Sequence, residues 1–240
     1  MADDYRAQGV PFLIFSHNID DTAPLVRQRA SQWRQAAGVP PGTGATLPLV
    51  LVNGGRETAQ GAHADFRKTY SQMMTAAGAS PPTADVSARW RTIDDQSVRV
   101  TVTVTNTGEA AFDPFEGGND ARVLLFAVER AIVIHLKYYA NHNQILELPD
   151  VLKPGQAVTL EATVPARASA MRRTDLVAVL EYVKDDGKWD VAQGAMAVPD
   201  APAAPPTPTP VPTVVAAPEP TNPAPAAYRI LLPVAHNGGA

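Results

Sequence analysis

The chain has 240 residues, of which 45% are hydrophobic, and it carries a formal net charge of −4 at pH 7. No Lys/Arg cluster stands out, which excludes a basic nucleic-acid surface and a polybasic membrane patch. The chain contains no cysteine, so disulfides, thiolate zinc sites and thiol nucleophiles are excluded as well. No apolar run approaches the roughly 20 residues that a membrane-spanning helix needs.

Residues 1–80 predict a β-α-β-β-α unit. Short apolar runs indicate buried strands, and apolar residues at helical spacing indicate amphipathic helices. Asn53-Gly54-Gly55 is a strong signal for a hairpin between two strands. The predicted elements are a strand at 10–15, a helix at 22–37, strands at 49–52 and 56–60, and a helix at 63–77 that Gly78 terminates.

Residues 83–198 predict a β-sandwich of the immunoglobulin or fibronectin type. The segment 98–105 alternates apolar and polar residues with period two, and Asn106-Thr107-Gly108 ends it. Several short strands separated by turns, with no helical pattern, are typical of such a sandwich. The other predicted strands are 85–90, 122–129, 132–138, 157–164, 176–184 and 189–198.

Residues 199–240 predict a disordered tail. Pro, Ala and Thr dominate the segment up to residue 227, and such a composition cannot bury a core. We therefore expect an extended, semi-rigid stalk. A short hydrophobic peptide, residues 228–234, follows it, and the sequence gives that peptide no role.

The order of elements in residues 1–80 resembles part of a thioredoxin-like domain. Leu47-Pro48 precedes a buried strand, and Asn53-Gly54-Gly55, a return strand and a closing helix follow. The family places a cis-proline at that strand entrance, so the resemblance implies that Pro48 and Leu47 are peptide-contact candidates. The redox Cys-x-x-Cys unit of the family has no counterpart here. A sheet without it would leave a strand unpaired and a sheet face uncovered. We therefore expect this unit to pack on the sandwich, to pair with another chain, or to be marginal alone.

The two modules together resemble exported bacterial surface proteins in which a sandwich follows a thioredoxin-like domain. Segments 175–183 and 191–195 look like their closing hairpin. The first residues show no signal peptide, so an exported protein would carry one upstream of Met1. The resemblance implies an extracellular or cell-envelope location, with an unknown protein, peptide or glycan as the partner.

Several polar clusters suggest chemistry, but a structural interpretation is favoured for each of them. His17, Asp20 and Asp21 are typical of a helix N-terminus, and His135 and His142 lack supporting ligands. The acidic loop 116–120 lacks the alternating carboxylates of a calcium site. We predict no catalytic, cofactor-binding or metal-ligating residue. Trp90 and Trp189 are the candidates for a ligand-binding surface.

The resulting hypothesis is a non-catalytic exported or cell-surface protein that acts as a display or binding module. One alternative is a fragment of a thioredoxin-like thiol-disulfide oxidoreductase whose redox motif lies upstream of Met1. Another is a β-sandwich that binds carbohydrate or peptide.

Overall fold

A computed structural model gives the fold of the chain. It describes residues 12–14, 31–40, 43, 49–61, 64–114, 120–130, 139–166, 170–184, 186–200 and 229–232. These residues are mostly β-strands, which form three four-stranded sheets, with few helices. The strands are β1 (Phe12–Ile14), β2 (Leu49–Val52), β3 (Glu57–Gln60), β4 (Ala84–Asp94), β5 (Ser97–Asn106), β6 (Arg122–Glu129), β7 (Tyr139–Glu147), β8 (Ala157–Pro165), β9 (Thr174–Val183), β10 (Trp189–Met196), β11 (Val198–Pro199) and β12 (Arg229–Leu232). The helices are α1, of which residues 31–36 are described, and α2 (Phe66–Ala79).

The three sheets lie one above another and are called the first, second and third sheet in that order. The first sheet has the strand order β1-β12-β2-β3, the second β10-β9-β6-β7 and the third β11-β4-β5-β8. Neighbours are antiparallel except for the pairs β1–β12 and β11–β4, which are parallel. None of the helices that the structure describes is long and apolar enough to cross a bilayer.

The second and third sheets pack face to face as a β-sandwich, so the coarse prediction of a sandwich is confirmed. The alternation in β5 determines which of its side chains face the core: Val98, Val100, Val102 and Val104 are fully buried, while the Thr and Arg residues between them are partly exposed. Opposite them lie Val123 and Leu125 of the second sheet. Each buried Val contributes about 1.5–3 kcal/mol of transfer free energy.

The second sheet is buried on its other face as well. Leu124 and Val179 point away from the sandwich core and join a second core with Trp33 of α1 and with Leu49 and Leu51 of β2. A sheet covered on both faces requires strands without alternation, and β6 is buried at every position but its last. Of the three outcomes expected for the N-terminal unit, packing against the sandwich is the one observed.

The helix α2 covers the outer face of the first sheet. Val50 and Val52 of β2 pack against Tyr70, Met73 and Ala77 of the helix. Burial raises the pKa of the Tyr70 phenol, because the ionised form would lose hydration. The stack therefore runs from α2 through the first, second and third sheets. The predicted stop at Gly78 is wrong by two residues: the helix continues through Gly78 and ends at Ala79, and Ser80 is extended.

A buried asparagine side chain organises the end of β5, where the sequence predicts a break. The Asn106 amide donates hydrogen bonds to the carbonyls of Ala110 and Leu152, both at 2.8 Å. Its Oδ1 accepts the Gly108 N–H at 3.0 Å. These bonds satisfy backbone groups in the loops that leave the strand, which a side chain such as Val could not do.

Sequence patterns missed the strand β7. Its residues include two Asn and one His, which are poor strand formers, and tertiary pairing with β6 overrides that local preference. The strand predicted at 132–138 lies outside the described residues.

The prediction of a disordered tail from residue 199 is wrong at two places. Val198–Pro199 forms β11 on the edge of the third sheet, and Arg229–Leu232 forms β12 inside the first sheet. Residues 229–232 are ordered as a strand because their backbone pairs with β1 on one side and with β2 on the other. The remainder of the tail, 201–228 and 233–240, lies outside the described residues and stays a prediction. The strand that we expected to be unpaired therefore has a partner from the opposite end of the sequence.

Candidate functional site

A cleft of about 240 Å³ opens where the first sheet meets the sandwich. Three segments form its walls: the turn between β2 and β3, the connection from α2 to β4, and the hairpin of β9 and β10. The residues that line it are Asn53, Arg56, Ala77, Ser80, Pro81, Pro82, Thr83, Tyr182, Lys184, Asp190, Val191, Ala192 and Gln193. The walls are thus both polar and apolar, and the cleft belongs to neither module alone.

The Asn53-Gly54-Gly55 turn holds the first wall against β10. Gly54 has φ of 72°, and a Cβ there would lie 3.4 Å from the carbonyl group of Trp189. Gly55 has φ of 114°, and its Cβ would meet the Ala36 Cβ at 3.0 Å. Glycine is favoured at both positions because φ is positive, and at Gly55 a Cβ would also be too close to the Ala36 Cβ. The predicted hairpin is therefore also the point of contact with the sandwich.

A buried carboxylate pairs with one cation from the opposite wall of the cleft and with one from its own hairpin. Asp190 Oδ2 accepts from Arg56 Nη1 at 2.7 Å and lies 2.6 Å from Lys184 Nζ. Its Oδ1 accepts the Val191 N–H at 2.9 Å. The hydrogen bond and the charge of Asp190 raise the pKa of the Arg56 guanidinium. Because Arg56 comes from the first sheet and Asp190 from the second, this pair fixes the two walls relative to each other.

Among the residues that the structure describes, Asp190 is the ion-pair partner of both cations, and both remain partly open to solvent. The side chains of Arg56 and Lys184 are 42% and 35% exposed, whereas that of Asp190 is 7% exposed. A guanidinium has five N–H groups and an ammonium has three, so a single carboxylate does not saturate them. The cleft can therefore accept a carboxylate or another oxygen-rich group from a ligand. Tyr182 adds an aromatic surface, held edge-on by Phe112 at 5.3 Å between ring centroids.

A second ion pair lies buried behind the cleft. Arg122 Nε donates to Glu181 Oε1 at 2.8 Å, and the two side chains are 7% and 0% exposed. The Arg122 guanidinium also stacks on the Trp189 ring, with its Cζ 4.2 Å from the ring centroid. This arrangement fixes the rotamer of Trp189, which directly precedes Asp190. Sequence analysis missed the pair; the signals were two charged residues, Arg122 at the start of the apolar strand β6 and Glu181 within the apolar strand β9.

Of the site residues predicted from the sequence, the structure describes the side chains of Trp90 and Trp189. Trp90 is half-buried and packs against the sandwich core. Trp189 is half-buried under Arg122, beside the cleft. Pro48 and Leu47 lie outside the described residues, so their proposed peptide contact stays a prediction. The same holds for the side chains of His17, Asp20, Asp21, His63, His135 and His142 and for the loop 116–119. Among the residues that the structure describes, no group of three His, Cys, Asp or Glu is arranged to hold a metal ion.

No protein-family model and no curated protein matches the sequence. Solved structures similar to this chain include HBP35 of Porphyromonas gingivalis, with 15% identity and a TM-score of 0.43 over 81% of this chain and 63% of that chain. A domain of the outer membrane lipoprotein Omp28 from the same organism has 12% identity and a TM-score of 0.29 over 51% of this chain and 93% of that chain. The sporulation control protein Spo0M from Bacillus subtilis has 14% identity and a TM-score of 0.30 over 50% of each chain. The description of the fold therefore rests on the strand order and packing of this chain itself.

Proposed function

We propose that this chain is a non-catalytic exported or cell-surface protein that binds a peptide or glycan at the envelope through the cleft between its first sheet and its sandwich. The observation that carries the proposal is the burial of the second sheet on both faces. Because the walls of the cleft belong to one continuous packed body, the cationic groups are held in place before a ligand arrives. Such preorganisation lowers the entropic cost of binding.

The strand order supports an immunoglobulin-like sandwich as the scaffold. Strands β10-β9-β6-β7 face β4-β5-β8. The chain thus passes from the third sheet (β4, β5) to the second (β6, β7), back to the third (β8) and again to the second (β9, β10), which is compatible with that architecture. The parallel pair β1–β12, the β2–β3 hairpin and the helix packed on the first sheet support the thioredoxin-like part of the proposal. The Pro/Ala/Thr composition of residues 201–227 supports an extracytoplasmic location, where such segments serve as spacers.

The chemistry of the cleft favours a ligand with a carboxylate or several hydroxyl groups. Arg56 offers a planar set of donors that matches a carboxylate, and Lys184 offers a point charge beside it. The Tyr182 ring packs against the sandwich core, has Lys184 Nζ 6.0 Å from its centroid, and adds an aromatic side chain to the lining of the cleft. The oxidoreductase alternative places its redox thiolate upstream of Met1, because this chain contains no cysteine.

Binding can be tested by titrating the full chain with acidic and neutral peptides and with uronic-acid and neutral oligosaccharides. Tryptophan fluorescence is the readout, since Trp189 adjoins the cleft. We expect an acidic member of the panel to bind, and Arg56→Gln to weaken it about tenfold through loss of a charged hydrogen bond. Arg99→Gln is the matched control, because Arg99 is a partly exposed arginine on the third sheet, 4.0 Å from Glu161. Equal affinity in both variants would remove the cleft as the site, and turnover of any panel member would contradict the non-catalytic assignment.

A further inference from the structure

Two amide side chains line the cleft although both residues are almost fully buried. Asn53, in the turn after β2, is 8% exposed, and Gln193 of β10 is 4% exposed. The first comes from the first sheet and the second from the sandwich, so each wall of the cleft contributes one amide. Buried polar groups in folded proteins are nearly always hydrogen-bonded, because an amide that loses water without gaining a partner raises the free energy.

These two amides retain hydrogen-bonding capacity. Gln193 Oε1 accepts the Gly194 N–H at 3.1 Å, so the other end of that amide is its NH₂ group. Among the residues that the structure describes, neither this NH₂ group nor the side-chain amide of Asn53 has a hydrogen-bond partner. Gln193 therefore offers the cleft a donor, and Asn53 offers it an acceptor and a donor.

A bulge in β10 brings Gln193 to the same side of the sheet as Asp190. Asp190 lies opposite Tyr182, and Gln193 lies opposite Leu180. The register shifts between Val191 and Gln193. Residues three apart in a regular strand point to opposite faces, whereas the two partners in β9 are two apart and share a face. Bulges that redirect a side chain are frequent beside active sites, and this one presents an ion pair and an amide to the same cleft.

We infer that the cleft binds the C-terminal residue of a peptide, a ligand class that rests on the binding function proposed above. The terminal carboxylate lies against Arg56 and Lys184, the two cations beside Asp190. The Gln193 NH₂ group donates to the carbonyl of the last peptide group, and Asn53 Oδ1 accepts its N–H. A peptide group carries one donor and one acceptor, which is the set that the two amides require.

The size and the walls of the cleft favour a chain end over a continuous chain or a sugar. Its volume of about 240 Å³ is smaller than the about 300–1,000 Å³ of pockets for drug-sized ligands, so it holds one or two residues. Pro81 and Pro82 form an apolar wall for the last side chain. A sugar ring would need an aromatic face, but the Tyr182 ring packs against the sandwich core, with Phe112 edge-on at 5.3 Å.

Peptides that differ only in their terminal group test the inference. An N-acetylated tetra-alanine with a free carboxylate is titrated calorimetrically into the full chain, beside the same peptide as its C-terminal amide. A third peptide is an amide that carries aspartate at its second position. We expect the free acid to bind at least about tenfold more tightly than either amide, because only its carboxylate adjoins the last peptide group. Equal affinities for the acid and either amide would overturn the inference.

Two substitutions test the roles of the amides. Gln193→Met keeps the length of the side chain without its NH₂ group, and Asn53→Gly tolerates the φ of 48° at that position. We expect each to weaken binding of the free acid about five- to tenfold, whereas Gln96→Met in the exposed turn between β4 and β5 should not. If the last amide of the peptide is replaced by an ester, which has no N–H, Asn53→Gly should have no further effect. Unchanged affinity in both variants would overturn the inference, and the comparison of peptides stands if a variant fails to fold.

Failure of this inference is distinguishable from failure of the proposed function. Binding of a uronic-acid oligosaccharide without binding of any peptide would leave the cleft as a ligand site and overturn the assignment to a peptide C-terminus. The same conclusion would follow if the aspartate-containing amide bound as tightly as the free acid. Absence of binding by every peptide and oligosaccharide would overturn both.

Discussion

Replacing Glu181 with glutamine is expected to lower the free energy of unfolding by about 3–5 kcal/mol. Glu181 is fully buried and accepts the Arg122 Nε hydrogen bond at 2.8 Å. The amide would keep the shape of the side chain but leave the guanidinium buried without a counter-charge. Urea unfolding followed by circular dichroism measures the decrease in the free energy of unfolding. If the dependence of that free energy on urea concentration is unchanged, the shift of the midpoint reports the change in stability.

Two controls separate the missing charge from other effects of the substitution. The double variant Arg122→Met, Glu181→Leu removes both charges and should be more stable than the single variant, because no uncompensated ion remains. Glu161→Gln breaks an exposed pair, with 4.0 Å between Arg99 Nη1 and Glu161 Oε2, and should change stability by no more than about 0.5 kcal/mol. If Glu181→Gln behaves like Glu161→Gln, the pair is solvated and our description of this core is wrong.

Leu51→Ala is expected to cost about 2–5 kcal/mol, which is the range for a fully buried leucine. Leu51 is 0% exposed and lies in the core between the first and second sheets. The substitution leaves a cavity at the junction of the two modules. We expect the whole unfolding transition to shift to lower urea, because the sandwich shares its second sheet with this core.

The matched control for Leu51→Ala is Ile93→Ala, since Ile93 is 45% exposed at the end of β4. That substitution should change stability by no more than about 0.5 kcal/mol. A biphasic curve for Leu51→Ala, with only part of the signal shifted, would show that the N-terminal unit unfolds separately from the sandwich.

Local patterns predicted the elements whose hydrophobic pattern or turn residues indicate directly which side chains are buried and where the chain turns. The alternation of β5 identified its buried face, and the continuous apolar run at 123–128, flanked by Arg122 and Glu129, indicated β6. Asn53-Gly54-Gly55 predicted a hairpin because its conformation needs positive φ. In each of these cases the information lies within about ten residues.

Other features depend on partners far away in the sequence. The strand β7 forms because β6 presents an edge to it, although its Asn and His residues disfavour a strand. The strand β12 forms because it pairs with β1 on one side and with β2 on the other. Sequence analysis did not predict it, because it follows a Pro-rich segment. The cleft needs Arg56 and Asp190, which are 134 positions apart. No local pattern reports such a pairing.

Native-state hydrogen exchange of the full chain tests the central claim that the N-terminal unit and the sandwich are one packed body. We predict that backbone amides of β2 and β5 exchange through the same global opening and show equal free energies of opening across a urea series. Leu51→Ala should lower both equally. Amides of β2 that open at a clearly lower free energy while β5 stays protected would contradict the claim, because the second sheet would then not couple the two cores.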